Sequence, residues 1–225
     1  MKRNLLELLA RNRVKTASHR ALPNGRWIDA ADSEAGKAAV VYLYDSIVST
    51  RVEAEWWGGV SAEELVPKLR ELDVSVIDVR INSPGGDVFA AQAIAQALRD
   101  SKAKVVAHID GIAASAATIV ATAANEIEMA VGALYMVHRG WTIAIGNMND
   151  MLEIAELLEK VDGTLAGQYA QRTGRTVQEM LDVMDAETWM TAQEAIDGKF
   201  VDRIAQDADG VANSWDLSAY RNAPT

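Results

Sequence analysis

From Ala39 onward, short apolar runs of strand type alternate with stretches whose apolar residues recur at helical spacing. Ala39–Tyr44 (AVVYLY), Val74–Ile81 (VSVIDVRI), Lys104–Ile109, Glu126–Ala130, Leu134–Val137 and Phe200–Ile204 read as strands. Val88–Arg99 reads as a helix, with Val88, Ala91, Ile94, Ala95 and Leu98 on one face. Ser61–Leu72 reads as another, opened by the capping box Ser61-x-x-Glu64, and Pro67 is expected to kink or shorten it. Gly111-Ile112 is expected to lead into a small-residue helix around Ser115–Ala124. In Asp150–Arg172, Met151, Ile154, Leu158, Val161 and Leu165 repeat at 3, 4, 3, 4 spacing. Such a seam packs either into a core or against a partner subunit. Thr176–Val183 and Ala192–Ile196 complete the helices, and the alternation predicts an α/β domain with a largely parallel sheet.

The flanks differ from this body. Residues 1–20 hold six basic residues against the single acid Glu7, a net +5. Turn formers crowd the stretch from Pro23 to Gly36, and residues 206–225 are polar and alanine-rich with no clear period. The division expected is a basic arm and linker over 1–36, a folded domain over 37–205 and a polar tail over 206–225. The arm is a solvated charge run, a docking segment for an acidic partner, or a segment trimmed by proteolysis.

Composition narrows the chemistry. The 225 residues suffice for one domain with its own core, and they include no cysteine and only His19, His108 and His138. Disulfides, thiolate nucleophiles and cysteine-based metal sites are therefore excluded. Three scattered histidines without an HExxH pair point away from a catalytic metal, and no cofactor is implied. A net charge of −10 argues against general nucleic-acid binding. No apolar run is long enough to span a membrane, and Glu7 and Arg11 break the apolar part of a would-be signal peptide. A soluble intracellular protein is expected.

Four features carry candidate chemistry. Asn82-Ser83-Pro84-Gly85-Gly86 lies where a strand meets a helix, at the sheet edge where ligands usually bind, and its glycines allow close backbone approach. Ser115 lies among alanines at a helix start, with the Ala116 amide beside it as an oxyanion donor. His138 follows a strand, where an imidazole can face a cleft; His108 is mid-strand and His19 is in the arm. Asp182, Asp185 and Glu187 cluster before Trp189-Met190-Thr191-Ala192 and could supply an orienting carboxylate. Each alone is equally readable as packing or as solvated charge.

Together, the ordered blocks INSPGGDVFA (81–90), DGIAASAAT (110–118), MVHRG (136–140) and ETWMTAQEAIDGKFVD (187–202) resemble the Clp protease proteolytic subunits of the Clp/crotonase superfamily. The resemblance runs from about Val40 to Ile204. Trp56-Trp57-Gly58-Gly59-Val60-Ser61-Ala62 is typical of its phage branch, the Clp-related head maturation proteases.

The resemblance implies a spiral of strand-strand-helix units with a protruding handle helix, here residues 150–172, which joins subunits into a homo-oligomeric ring. It implies serine endopeptidase activity on protein substrates, scaffold and capsid proteins in the phage branch, in a bacterial cytoplasm or inside a prohead. By position the nucleophile is Ser115, the general base His138 and the acid Glu187, with Asp185 the second choice. The oxyanion amides are those of Gly86 and Ala116, and substrate lies along Gly85 and Gly86. The family run Asp-Arg-Asp is here Asp185-Ala186-Glu187, so the arginine that locks neighbouring rings is absent. The N-terminal segment does not resemble the loops that dock an unfoldase, so an ATPase partner is not implied. The alternatives are an ATPase-fed Clp peptidase, an acyl-CoA enzyme of the crotonase branch and a non-catalytic assembly component.

Overall fold

Alternation of buried and half-buried residues along the central strands fixes which sheet face the helices cover. The computed structural model describes residues 28–33, 36–205 and 220–223. The basic arm and residues 206–219 lie outside the described residues. Strands β1 (Ile28–Ser33), β2 (Gly36–Leu43), β5 (Val76–Ser83), β6 (Lys104–Ala114), β7 (Glu126–Met129) and β10 (Arg203–Ile204) form one sheet in the order β1-β2-β5-β6-β7-β10. The β2-β5, β5-β6, β6-β7 and β7-β10 pairings are all parallel.

On β5, Ile77, Val79 and Ile81 are buried while Asp78 and Arg80 face the other side half-exposed. Helices α2 (Ala62–Glu71), α3 (Val88–Asp100) and α4 (Ala116–Ala121) cover the apolar face, with α3 packed between the other two. Ile94 and Leu98 of α3 and Leu65 and Leu69 of α2 are buried there, each contributing about 1.5–3 kcal/mol.

Several local expectations are corrected. Ser61 does not form a capping box: it belongs to the short strand β4 (Val60–Ser61), which pairs with β3 (Ile47–Val48), and its hydroxyl makes no capping bond. Strand pairing buries that hydroxyl before it can turn toward the helix. Pro67 does not end α2, which continues to Glu71, because buried Leu65 and Leu69 hold both sides of the proline against the sheet.

Strand β6 continues to Ala114 instead of stopping at Ile109, and α4 ends at Ala121. The reason is a second partner: after β7 pairs Val106–Ile109, β8 (Leu134–Val137) pairs Ile112–Ala114. The expected strand 200–204 is confined to Arg203–Ile204, because Phe200 is buried against the rings of Tyr135 and Tyr169. Two strands go beyond the expectation, β9 (Thr188–Thr191), antiparallel to β8, and β1, antiparallel to β2 within the turn-rich stretch.

Helix α1 (Arg51–Trp57) precedes β4. Helix α5 (Met148–Thr173) starts at an Asn147–Asp150 capping box and stops at Gly174, whose φ of +74° is a left-handed cap. Along its seam Leu165 is buried, Val161, Leu158 and Ile154 are half-buried and Met151 is exposed; Leu152 and Leu157, beside the seam, are exposed as well. Only the C-terminal half of α5 therefore belongs to this chain's core. Helices α6 (Val177–Asp185) and α7 (Ala192–Asp197) flank β9. No helix among the described residues is long and apolar enough to cross a membrane.

Candidate active site

The pairing of β6 with β8 brings Ser115 to His138. Ala114 stands opposite Met136, and the Ser115 amide donates to the Met136 carbonyl at 2.9 Å. His138 is the first residue after β8, two positions beyond Met136. His138 Nε2 and Ser115 Oγ are 2.7 Å apart, within hydrogen-bond distance.

Ser115 joins β6 to α4 at φ +54° and ψ −126°, a conformation side-chain-bearing residues rarely adopt. Such strain costs about 1–3 kcal/mol and persists only where the surroundings impose it. Here its carbonyl accepts from the Thr118 amide at 3.0 Å and from Thr118 Oγ1 at 2.6 Å. The Thr118 hydroxyl is itself 2.6 Å from that of buried Tyr169.

The SPGG turn packs directly against this corner. A Cβ on Gly85 would lie 2.6 Å from the Ala114 oxygen and 2.9 Å from the Ala116 nitrogen, and one on Gly86 only 2.1 Å from the Ile47 oxygen. Glycine is required at both positions, where φ is +97° and +144°. The Ile47 amide donates to Gly85 O at 2.8 Å and the Asp87 amide to Ile47 O at 2.9 Å, stitching the turn to β3. Asp87 also caps α3 by accepting from the Ala90 amide at 2.8 Å. Gly85, Gly86, Ser115 and His138 border one cleft of about 420 Å³, whose far wall is Trp141, Thr142 and Ile143. Ala116, first residue of α4, is buried behind Ser115.

The two candidate acids have different surroundings. Asp185 is gripped by Arg139, Nε to Oδ1 at 2.5 Å and Nη2 to Oδ2 at 2.7 Å, and that guanidinium holds its carboxyl below the usual range. Glu187, at φ +49°, accepts from the Asn222 amide at 2.5 Å, the Arg221 amide at 2.8 Å and Trp189 Nε1 at 3.3 Å. Burial raises its pKa, but these donors outweigh burial and hold it below the ordinary glutamate value. Among the described residues no hydrogen bond joins Glu187 to His138; the two interact through charge. Burial lowers the His138 pKa below its ordinary value, and the charges of Glu187 and Asp162 partly oppose that shift.

Three further residues belong to the site. Asp162 on α5 is 4% exposed and accepts from the Gly140 amide at 2.7 Å and from Arg139 at 3.4 Å. The one sign of it in the sequence is an acid directly after Val161 of the apolar seam. Arg139 joins Asp162 to Asp185, bridging α5 and α6. Tyr220 lies edge-on to His138, ring centroids 5.3 Å apart, and nothing in the pattern around it marks it out. His108 is held on the sheet face by Asp78 at 2.9 Å and Glu128 at 3.5 Å, and His19 lies outside the described residues.

Comparison with known proteins identifies the family. A proteolytic subunit of the ATP-dependent Clp protease from Streptococcus agalactiae is 35% identical over 130 residues, covering 56% of this chain and 66% of its own length. The corresponding Streptococcus sanguinis subunit is 31% identical over 133 residues, covering 57% of this chain and 68% of its own length. The chain thus spans about two thirds of the length of these curated relatives. A ClpP1 mutant from Listeria monocytogenes has the same fold, with a TM-score of 0.61 at 23% identity over 75% of this chain and 91% of that one. The Clp protease family model matches residues 53–208, a span that holds the Gly85-Gly86 turn, Ser115, His138 and Glu187, and the chain belongs to that family.

Proposed function

We propose that this chain is a serine-type endopeptidase. The observation that carries the reading is the 2.7 Å separation of Ser115 Oγ and His138 Nε2 at a strained strand–helix corner beside the Gly85-Gly86 turn. In the proposed mechanism His138 Nε2 takes the Ser115 hydroxyl proton as Oγ attacks a peptide carbonyl. The Gly86 and Ala116 amides hold the developing oxyanion, worth about 3–4 kcal/mol per donor in comparable sites. The imidazolium then protonates the departing amine, and water, deprotonated by the same imidazole, releases the acyl group and restores Ser115. Glu187 stabilises the imidazolium through its charge, in preference to Asp185, whose oxygens are held by Arg139. Substrate lies extended along Gly85 and Gly86 in the cleft.

A fluorophosphonate probe tests this directly. Ser115 of the wild type is labelled, and labelling is lost in Ser115→Ala and His138→Ala. Undiminished labelling of His138→Ala would sink the mechanism.

The WWGGVSA segment at 56–62 supports a narrower reading, a head maturation protease cleaving scaffold and capsid proteins within a phage prohead. Co-expression with a phage capsid protein and its scaffold tests this: intact capsid and scaffold with both wild type and Ser115→Ala count against it. Similarity to proteolytic subunits of the ATP-dependent Clp protease favours a second reading in which an unfoldase feeds the chain. ATP-dependent degradation of a folded substrate with a host unfoldase present distinguishes the two. The exposed Met148, Met151, Leu152 and Leu157 on α5 support a homo-oligomeric ring built through this helix. A monomer by light scattering at micromolar concentration would contradict it.

A further inference from the structure

Residues 220–222 contact the elements that surround Ser115 and His138. The Tyr220 hydroxyl donates to the Pro84 carbonyl at 2.6 Å, within the SPGG turn. The Arg221 and Asn222 amides donate to opposite oxygens of Glu187, and Asn222 Nδ2 donates to the Ala186 carbonyl at 2.8 Å. The Tyr220 ring stands edge-on between His138 and Trp189, centroids 5.3 and 5.7 Å away and planes 87° and 76° apart. Such edge-to-face contacts fix ring orientation as well as burying area. Burial and the nearby Glu187 charge raise the Tyr220 pKa, so its hydroxyl remains a donor at neutral pH.

We propose that this segment is a strap completing the catalytic site: Tyr220 is a positioning residue for the His138 imidazole, and the Arg221 and Asn222 amides position the Glu187 carboxylate. The proposal rests on the peptidase reading above. The strap does the work that a direct carboxylate–imidazole bond does elsewhere, through a ring that packs the imidazole and two amides that hold the acid close to it. Its place in the cleft is that of a wall. Tyr220 borders the cleft, yet the Ser115–His138 contact of 2.7 Å is intact and about 420 Å³ remains in front of it. An inhibitory plug would separate those two groups or fill that space.

The groups acting on the imidazole are Ser115 from the β6–α4 corner, Glu187 from the approach to β9, Asp162 from α5, and Tyr220, which itself packs against Trp189 of β9. Tyr220 is the aromatic ring packed edge-on against the imidazole, so its removal readmits water and the imidazole pKa rises toward 6.5.

The experiment follows the His138 imidazole by NMR titration and Ser115 by fluorophosphonate labelling rate, in wild type, Tyr220→Ala and Tyr220→Phe. In Tyr220→Ala the imidazole pKa rises and labelling slows about tenfold or more. Tyr220→Phe keeps the ring and restores the wild-type imidazole titration, with labelling between the two. An imidazole titration unchanged by Tyr220→Ala overturns the positioning role, and so does faster labelling, which would mark the strap as an obstruction. A wild type that the probe leaves unlabelled overturns the peptidase reading alone, because the imidazole titration still decides the strap. Should Tyr220→Ala fail to fold, Asn222→Pro carries the test by removing one Glu187 donor and leaving the ring. The Glu187 pKa then rises and labelling slows; no change in either overturns the proposal.

Discussion

The carboxylate of Asp162, buried in α5, accepts the Gly140 amide proton at 2.7 Å and so ties that helix to the chain two residues beyond His138. Asp162→Ala leaves that amide and one arm of Arg139 without an acceptor. The expected cost is about 1–3 kcal/mol, read as a shift in the chemical denaturation midpoint. Asp162→Asn keeps an acceptor and costs less. Removing the charge also removes one of the two influences that hold the His138 pKa up, so the acid limb of activity moves to lower pH in Asp162→Asn. An acid limb that moves upward would contradict this electrostatic account.

Glu187 and Asp185 are separable by mutation. On the proposed mechanism Glu187→Gln lowers the labelling rate of Ser115 about a hundredfold or more, as loss of the orienting acid does in other serine hydrolases. Asp185→Asn loses an exposed ion pair with Arg139 and changes the rate about twofold or less. The reverse ranking would reassign the acid to Asp185.

How much of this was legible beforehand depends on the distance over which each contact acts. Ser115, His138 and the SPGG turn stand out because each needs particular residue types over a few consecutive positions. The central strands and α3 stand out because one covered face imposes periodicity. The end of β6 does not, because residues 112–114 continue as strand by pairing with β8, some twenty positions away. Ser61 misleads for a related reason: its local capping signal is overridden by pairing with Val48. Tyr220 is illegible because its partners, Pro84 and His138, lie 136 and 82 positions earlier and impose no local pattern.

The Ser61 correction is itself testable. Its hydroxyl is buried with no hydrogen-bond partner, so Ser61→Ala removes an unsatisfied group. Stability is expected to stay level or rise by up to about 1 kcal/mol. Loss of a true N-cap would cost about 1 kcal/mol instead, and thermal denaturation tells the two apart.

At Gly85, alanine meets both a φ of +97° and the Ala114 carbonyl at 2.6 Å. Gly85→Ala is expected to cost about 1–3 kcal/mol in backbone strain, before any cost of displacing the Ser115 corner. Labelling of Ser115 falls with it, even in the fraction that remains folded. A folded Gly85→Ala protein with the wild-type melting temperature would contradict the tight fit.

The pH dependence has a definite sign. The proposed base works as neutral imidazole, and burial holds the His138 pKa below 6.5, so labelling persists as pH falls through 6.5 and is lost only lower. For stability, the unfolded chain binds the proton first. The His138 contribution is complete above the unfolded value of 6.5 and is lost as pH falls toward the depressed folded value. Denaturation midpoints of wild type and His138→Gln should converge in the neutral range and separate below it, with the wild type the weaker. Labelling that declines above 6.5 would show that the imidazole is not dehydrated.

The continuity of β6 sets how the site answers to fluctuation. One eleven-residue strand is paired with β5 throughout the body of the sheet, then handed from β7 to β8 just before Ser115. The amides of residues 112–115 thus share an opening event with those of 105–109, and their hydrogen–deuterium exchange should be as slow as that of the innermost strand. The Arg221 and Asn222 amides, held only by a side-chain carboxylate at the surface, should exchange far sooner. A serine on the part of the sheet expected to open last thus depends on an imidazole packed by a segment expected to open first, so the order of the base follows the strap while the nucleophile's corner stays fixed.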